Sequence, residues 1–264
     1  MSQARPIVNV LWTGGLDSSF RMVQLSRLDV RAQPYYVSDD RESEPFELNA
    51  IKRVTEDIKA HPGTIFQLLP LIIVPRRQIE PDPEITEAYR RVCGRHPIGW
   101  QYEWLARLSK SVDGLEIGLE RPGPTGASRC IANLGRTRVV SDGPVPYAVL
   151  DPESSDPDLF TVFGRFHFPL PLFEFRKLDE LPKYREWGFG STIDKTWFCH
   201  WPIEGRPCGY CKPCVSLIHE GLAFRFTRSG LRRYRLRAVY NLGRKIKAVI
   251  RQKLGTRTDG GARS

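Results

Sequence analysis

A chain of 264 residues, 41% hydrophobic and 27% charged, has the balance of a globular protein with a sizeable core, most simply one main domain with an appendage. The opening Met-Ser-Gln-Ala-Arg-Pro lacks the apolar run of a signal peptide, and no uninterrupted apolar stretch reaches about 18 residues; export and a membrane span are not expected, and the cytoplasm is the expected compartment. The net charge of +10 is lopsided: from Arg225 onward thirteen Lys and Arg face one acid, Asp259, so the tail carries +12 and residues 1–224 the remaining −2.

In chain order, residues 7–12 read as a first strand and 16–28 as a helix, with Phe20, Val23, Leu25 and Leu28 near helical spacing. Between them lies Thr13-Gly14-Gly15-Leu16-Asp17-Ser18-Ser19. A strand–loop–helix turn of this kind offers orphan backbone N–H groups and the positive end of a helix dipole to an anion. The paired glycines allow close backbone approach to a phosphate. Gly-Gly and Asp-Ser also occur in ordinary turns. The loop lacks the distal Gly-Lys-Ser/Thr of a Walker A loop. Residues 31–37 read as a second strand, 45–60 as an amphipathic helix stopped by His61-Pro62-Gly63, and 64–74 as a third strand. Helices are expected over 84–92 and 100–112, and a fourth strand over 115–119. The alternation predicts an α/β fold with a parallel sheet, whose ligands bind beyond the carboxyl ends of the strands; Ser38–Asp40 should lie at that edge with the 13–19 loop. Segments 121–126 and 142–158 are rich in Pro, Gly, Asp and Ser and read as surface loops, while 160–175 has no clear period.

Four of the six cysteines, Cys199, Cys208, Cys211 and Cys214, follow the spacing Cys-x8-Cys-x2-Cys-x2-Cys. Four thiolates so close suit a closed, tetrahedral Zn2+ site that organises the fold. An iron–sulfur cluster is the alternative. Cys93 and Cys130 lack such a pattern and read as incidental or buried thiols, and with four thiolates available His200 and His219 need not be ligands. Residues 229–254 place Leu236, Val239, Leu242, Ile246 and Val249 at helical spacing among Arg and Lys, an amphipathic helix with a wide cationic face. It could lie on nucleic acid, on an anionic membrane surface, against a partner subunit, or on its own domain. Residues 256–264 have the composition of a disordered end. The expected organisation is a nucleotide-binding domain over 1–195, a zinc module over 196–226 and a basic extension over 227–264.

The 13–19 loop resembles the pyrophosphatase loop, or PP-loop, written Ser-Gly-Gly-x-Asp-Ser. Thr13 replaces the first Ser and keeps a hydroxyl; Gly14, Gly15, Asp17 and Ser18 match. The resemblance implies a Rossmann-like fold of the adenine nucleotide alpha-hydrolase type and cleavage of ATP between its α- and β-phosphates. Together with the cysteine spacing, it is similar to the 7-cyano-7-deazaguanine synthase (QueC-type) family of queuosine biosynthesis. Val92-Cys93-Gly94-Arg95-His96 stands where that family has Val-Pro-x-Arg-Asn, and Lys177, Asp179 and Glu180 resemble its Lys-x-Glu stretch.

What the family implies is an ATP-dependent ligase: a carboxylate, 7-carboxy-7-deazaguanine, is adenylated, converted to an amide with ammonia, and dehydrated to a nitrile. By match, Thr13, Gly14, Gly15, Leu16, Asp17, Ser18 and Ser19 would hold the pyrophosphate portion of ATP. Asp17 would orient Mg2+, Ser18 would act beside it, and Arg95 would face the phosphates. A homodimer is an expected assembly. The family's Gly-x-Asn-x-x-Asp is replaced by Gly118-Leu119-Glu120-Arg121-Pro122, so recognition of the acceptor is altered. Related forms occur in antiviral systems, which leaves two further readings: a divergent member acting on protein or nucleic acid, and a non-catalytic, nucleic-acid-binding subunit.

Overall fold

The computed structural model describes residues 5–120, 126–244 and 246, and the chain divides into two compact units, Met1–Trp197 and Phe198–Ser264.

In the first unit, β1 (Ile7–Leu11) runs into α1 (Leu16–Ser26), which leads to β2 (Arg31–Ser38) and α2 (Glu44–Ala60). β1 and β2 pair in parallel from Ile7 opposite Arg31 to Leu11 opposite Tyr35. Helix α2 buries one stripe, Ala50, Ile51, Val54 and Ile58, the period of an amphipathic helix. Glu44 and Glu47 in its first turn and Lys59 in its last complement the helix dipole.

The strand expected over 64–74 is two short ones, β3 (Gln67–Leu68) and β4 (Ile72–Pro75), both parallel to β2. Pro70 between them has no N–H to give to a ladder, and its carbonyl instead accepts from Gln33 Nε2 at 2.8 Å. Helices α3 (Pro83–Arg95) and α4 (Gln101–Leu108) follow; α3 runs past the expected end, whereas α4 stops short of 112 and passes into turns. The fourth strand expected over 115–119 reduces to a parallel bridge at Glu116. Glu116 N–H donates to Asn9 O at 2.8 Å and its carbonyl accepts from Leu11 N at 2.9 Å. On its other side Glu116 bridges His167, again in parallel, so the parallel array continues past β1.

The middle of the chain, illegible in sequence, holds α5 (Gly126–Leu134), β5 (Thr137–Val140), β6 (Tyr147–Leu150), α6 (Pro157–Phe163) and β7 (Phe168–Pro169). β5, β6 and β7 form an antiparallel sheet. β6 thus lies inside a stretch expected to be loop. The main core joins α3, α4, α5 and α6 through Val92, Leu105, Ile131, Leu159 and Phe163. Helix α7 (Lys177–Glu186) packs on α1, with Phe20 edge-on to Tyr184 at 5.5 Å.

The second unit contains the four cysteines, α8 (Lys212–His219) and α9 (Arg228–Arg235). The helix expected over 229–254 breaks at Leu236 and resumes over 237–244; its remainder, Ile246 apart, and the end at 256–264 lie outside the described residues.

Candidate functional site

The 13–19 loop sits at the carboxyl end of β1. Gly15 is the extended N-cap residue of α1 and provides no side-chain cap, so the first N–H groups of the helix keep their donor capacity. Gly14 has φ +69°, and a Cβ on it would come within 2.6 Å of the Glu47 carbonyl. Only glycine satisfies both constraints, and the first turns of α2 can therefore press against the loop. Two hydroxyls brace it. Ser18 Oγ accepts from Thr13 N–H at 3.3 Å and lies 3.3 Å from Thr13 Oγ1. Trp12 Nε1 donates to Ser19 Oγ at 3.1 Å. Trp197 N–H donates to Gly14 O at 2.8 Å, while the Trp197 ring stacks on Phe46 at 4.7 Å. Leu16 is buried and its carbonyl accepts from Tyr184 OH at 2.9 Å.

Beside the loop stands an ion cluster. Lys177 Nζ, at the first position of α7, is 3.1 Å from Asp17 Oδ1 and 3.2 Å from Asp17 Oδ2, and it also pairs with the buried Glu120. Gly118 lies against the loop, where a Cβ on it would stand 3.2 Å from Asp17 Cβ. Three remote segments thus converge: the loop, the stretch 118–120 that follows the Glu116 bridge, and the start of α7. Beneath them Arg21 on α1 forms a buried two-pronged pair with Glu116, both contacts 2.6 Å. This pair locks the loop helix to the bridge segment around Glu116, and removing one partner would leave an uncompensated buried charge.

Ser38 and Asp39 at the end of β2 are held internally. Ser38 Oγ donates to Glu44 Oε1 at 2.6 Å, and Arg41 pairs with Asp39 and, at 2.6 Å, with Glu47. Glu47 also accepts from Tyr36 OH at 3.0 Å. Burial, reinforced by Glu47, raises the Tyr36 hydroxyl well above its ordinary value, so Tyr36 stays a neutral donor.

Arg95, at the end of α3, turns to α6: it pairs with Asp156 at 2.5 Å and with Asp158 at 3.4 Å. Its hydrogen bonds hold the Asp156 carboxyl down at about 2 against the opposing effect of burial, and Asp156 in turn caps α6 by accepting from Leu159 N–H at 3.0 Å. In this structure Arg95 is thus committed to carboxylates. Cys130 is fully buried and pushed up to about 11 by that burial, which keeps it a thiol at neutral pH.

In the second unit Cys199, Cys208, Cys211 and Cys214 are all buried and unbridged by disulfides. Their sulfurs lie within 4.8 Å of one another, with Cys208–Cys214 at 3.8 Å and Cys199–Cys211 at 4.0 Å. Tetrahedral zinc with Zn–S bonds of about 2.3 Å sets sulfurs about 3.8 Å apart, so the donor set fits that ion. Backbone N–H groups aim at the sulfurs: Cys208 N at Cys199 Sγ (3.2 Å), and Tyr210 N and Cys211 N at Cys208 Sγ (3.4 and 3.3 Å). Such donors favour the thiolate that a metal needs. Cys211 is the N-cap residue of α8 and Cys214 lies in its first turn, where the helix dipole acts in the same direction. Gly209, at φ +87°, allows Gly230 of α9 to approach so closely that a Cβ would meet its carbonyl at 2.0 Å. Arg233 Nε then donates to Cys208 O at 2.8 Å. His219 is occupied elsewhere, its Nε2 2.8 Å from Tyr234 OH.

Sequence reasoning named Lys177 only through resemblance and did not pair it with Asp17 or Glu120. It missed Arg21 altogether, because a polar residue within a helix pattern looks solvated. No protein-family model matches the chain, and no curated protein matches it. Among the described residues, no helix is long and apolar enough to cross a membrane.

Proposed function

We propose that the chain is a PP-loop ATP pyrophosphatase that adenylates a carboxylate, releasing pyrophosphate, and passes the activated acyl group to ammonia, as the resemblance to 7-cyano-7-deazaguanine synthases implies. The observation that carries this reading is the loop at the end of β1, where a left-handed Gly14 and an uncapped helix start leave backbone donors beside Asp17 and Lys177. Carboxylate oxygen leaves poorly, and AMP makes it a good leaving group. Thr13, Gly14, Gly15, Leu16, Ser18 and Ser19 would bind the pyrophosphate portion through N–H and hydroxyl groups. Asp17 would hold a phosphate-bound Mg2+, which supplies positive charge to the departing oxygens. Lys177 would add its ammonium where negative charge develops. The four cysteines would hold structural zinc, which is no part of the reaction.

One observation favours an acceptor other than free 7-carboxy-7-deazaguanine. Glu120 stands at the place of the family's Asn, buried and ion-paired, so this chain has a carboxylate where the family has an amide. Mass spectrometry of the protein incubated with Mg-ATP, ammonium and that acid decides between them. Formation of the nitrile assigns the synthase reaction. AMP with a different adduct assigns a divergent acceptor on protein or nucleic acid. Absence of AMP with every acceptor tried would leave a non-catalytic subunit and end the proposal.

A further inference from the structure

We infer that the basic helix of the second unit is a peripheral anchor that lies on an anionic lipid surface. The helix over 237–244 has two faces of different fate. Tyr240 stacks on Tyr210 at 5.2 Å and the Arg244 guanidinium lies 4.0 Å above the Trp201 ring, so positions 240 and 244, one turn apart, hold the helix against the cysteine module. Val239, Leu242 and Ile246 fall on the opposite side at helical spacing and are 67%, 58% and 51% exposed. Leu236, at the break before the helix, is exposed as well. The sequence continues the same spacing with Val249.

Charge selects the occupant of this apolar stripe. From Arg225 onward the chain carries a net +12, so a second copy would bring like charge against like charge, and the complementary surface is anionic. Nucleic acid satisfies the cations but offers nothing to three open aliphatic side chains, because its outer surface is phosphate and sugar. An anionic bilayer surface satisfies both: headgroups meet the Arg and Lys, and the headgroup–acyl boundary takes the aliphatic stripe. The stripe is too short to cross a bilayer and suits a helix lying in the interface plane.

The test uses the full chain and sedimentation with vesicles of phosphatidylcholine, alone or with about 30% phosphatidylglycerol. The expected result is retention on the anionic vesicles only, weakening with salt. A triple variant, Val239→Ser/Leu242→Ser/Ile246→Ser, is expected to lower partitioning at least about tenfold, while metal content and thermal unfolding change little because these side chains are more than half exposed. Three results would overturn the inference: no preference for anionic vesicles, equal partitioning of the triple variant, or salt-sensitive capture of a DNA or RNA oligonucleotide by a chain that the vesicles do not retain.

Discussion

The glycine loop of the first unit and the cysteine cluster of the second both gather polar groups at the start of a helix, yet they hold them by different means. The loop is held by the fold. Gly14 is pinned against α2, Ser18 and Ser19 are braced by Thr13 and Trp12, and the buried Arg21–Glu116 pair fixes α1 to the bridge segment at Glu116. Among its described residues, the unit of the cysteine cluster has few large buried side chains of its own, and the four sulfurs would repel as thiolates without a cation between them. A loop of the first kind is preformed before any guest arrives, whereas a cluster of the second kind would gain its fold from an ion that it could hold.

The largest effect is expected from stripping any metal held by the four thiolates. Structural zinc in small peptides contributes about 10–16 kcal/mol apparent, so a strong chelator is expected to unfold the second unit and leave the first intact. Calorimetry would show one transition lost and one retained, and metal analysis would separate zinc from iron. A chelator that alters neither transition would contradict the account of the cluster. Next in size is Arg21→Met, which strands Glu116 in the core and is expected to cost about 3–5 kcal/mol in urea unfolding. The double variant Arg21→Met/Glu116→Leu should recover most of that loss.

Lys177→Met should lower AMP formation about a hundredfold. Adding Glu120→Gln relieves the buried carboxylate and should restore stability without restoring rate, which separates chemistry from packing. The smallest effect belongs to Asp156. Its carboxyl is held at about 2, below the ordinary 3.8, because the folded state favours the charged form. Its contribution to stability is therefore complete above about pH 4 and is lost as pH falls toward 2. Asp156→Asn should flatten the acid limb of the stability curve in that window, and Asp156→Ala should additionally lose the α6 cap, about 1 kcal/mol.

What could be read in the sequence was local. Gly14, Gly15 and Asp17 announce the loop within seven residues, and four cysteines within sixteen announce a cluster that could hold a metal, because spacing alone brings their side chains together. The α1, β2 and α2 segments were legible by period. What failed was long-range or short. Lys177 is 160 residues from Asp17, and only the topology unites them. β5, β6 and β7 are too short to show alternation. Pro70 split a strand that composition joined, and at 115–119 the parallel pairing narrows to a bridge at Glu116.

The most direct test of the central claim is phosphorus NMR of Mg-ATP turned over by the protein with a carboxylate acceptor and ammonium. The account predicts AMP and pyrophosphate, lost in Asp17→Ala while its melting temperature is kept. ADP with inorganic phosphate, or unchanged turnover in Asp17→Ala, would contradict it.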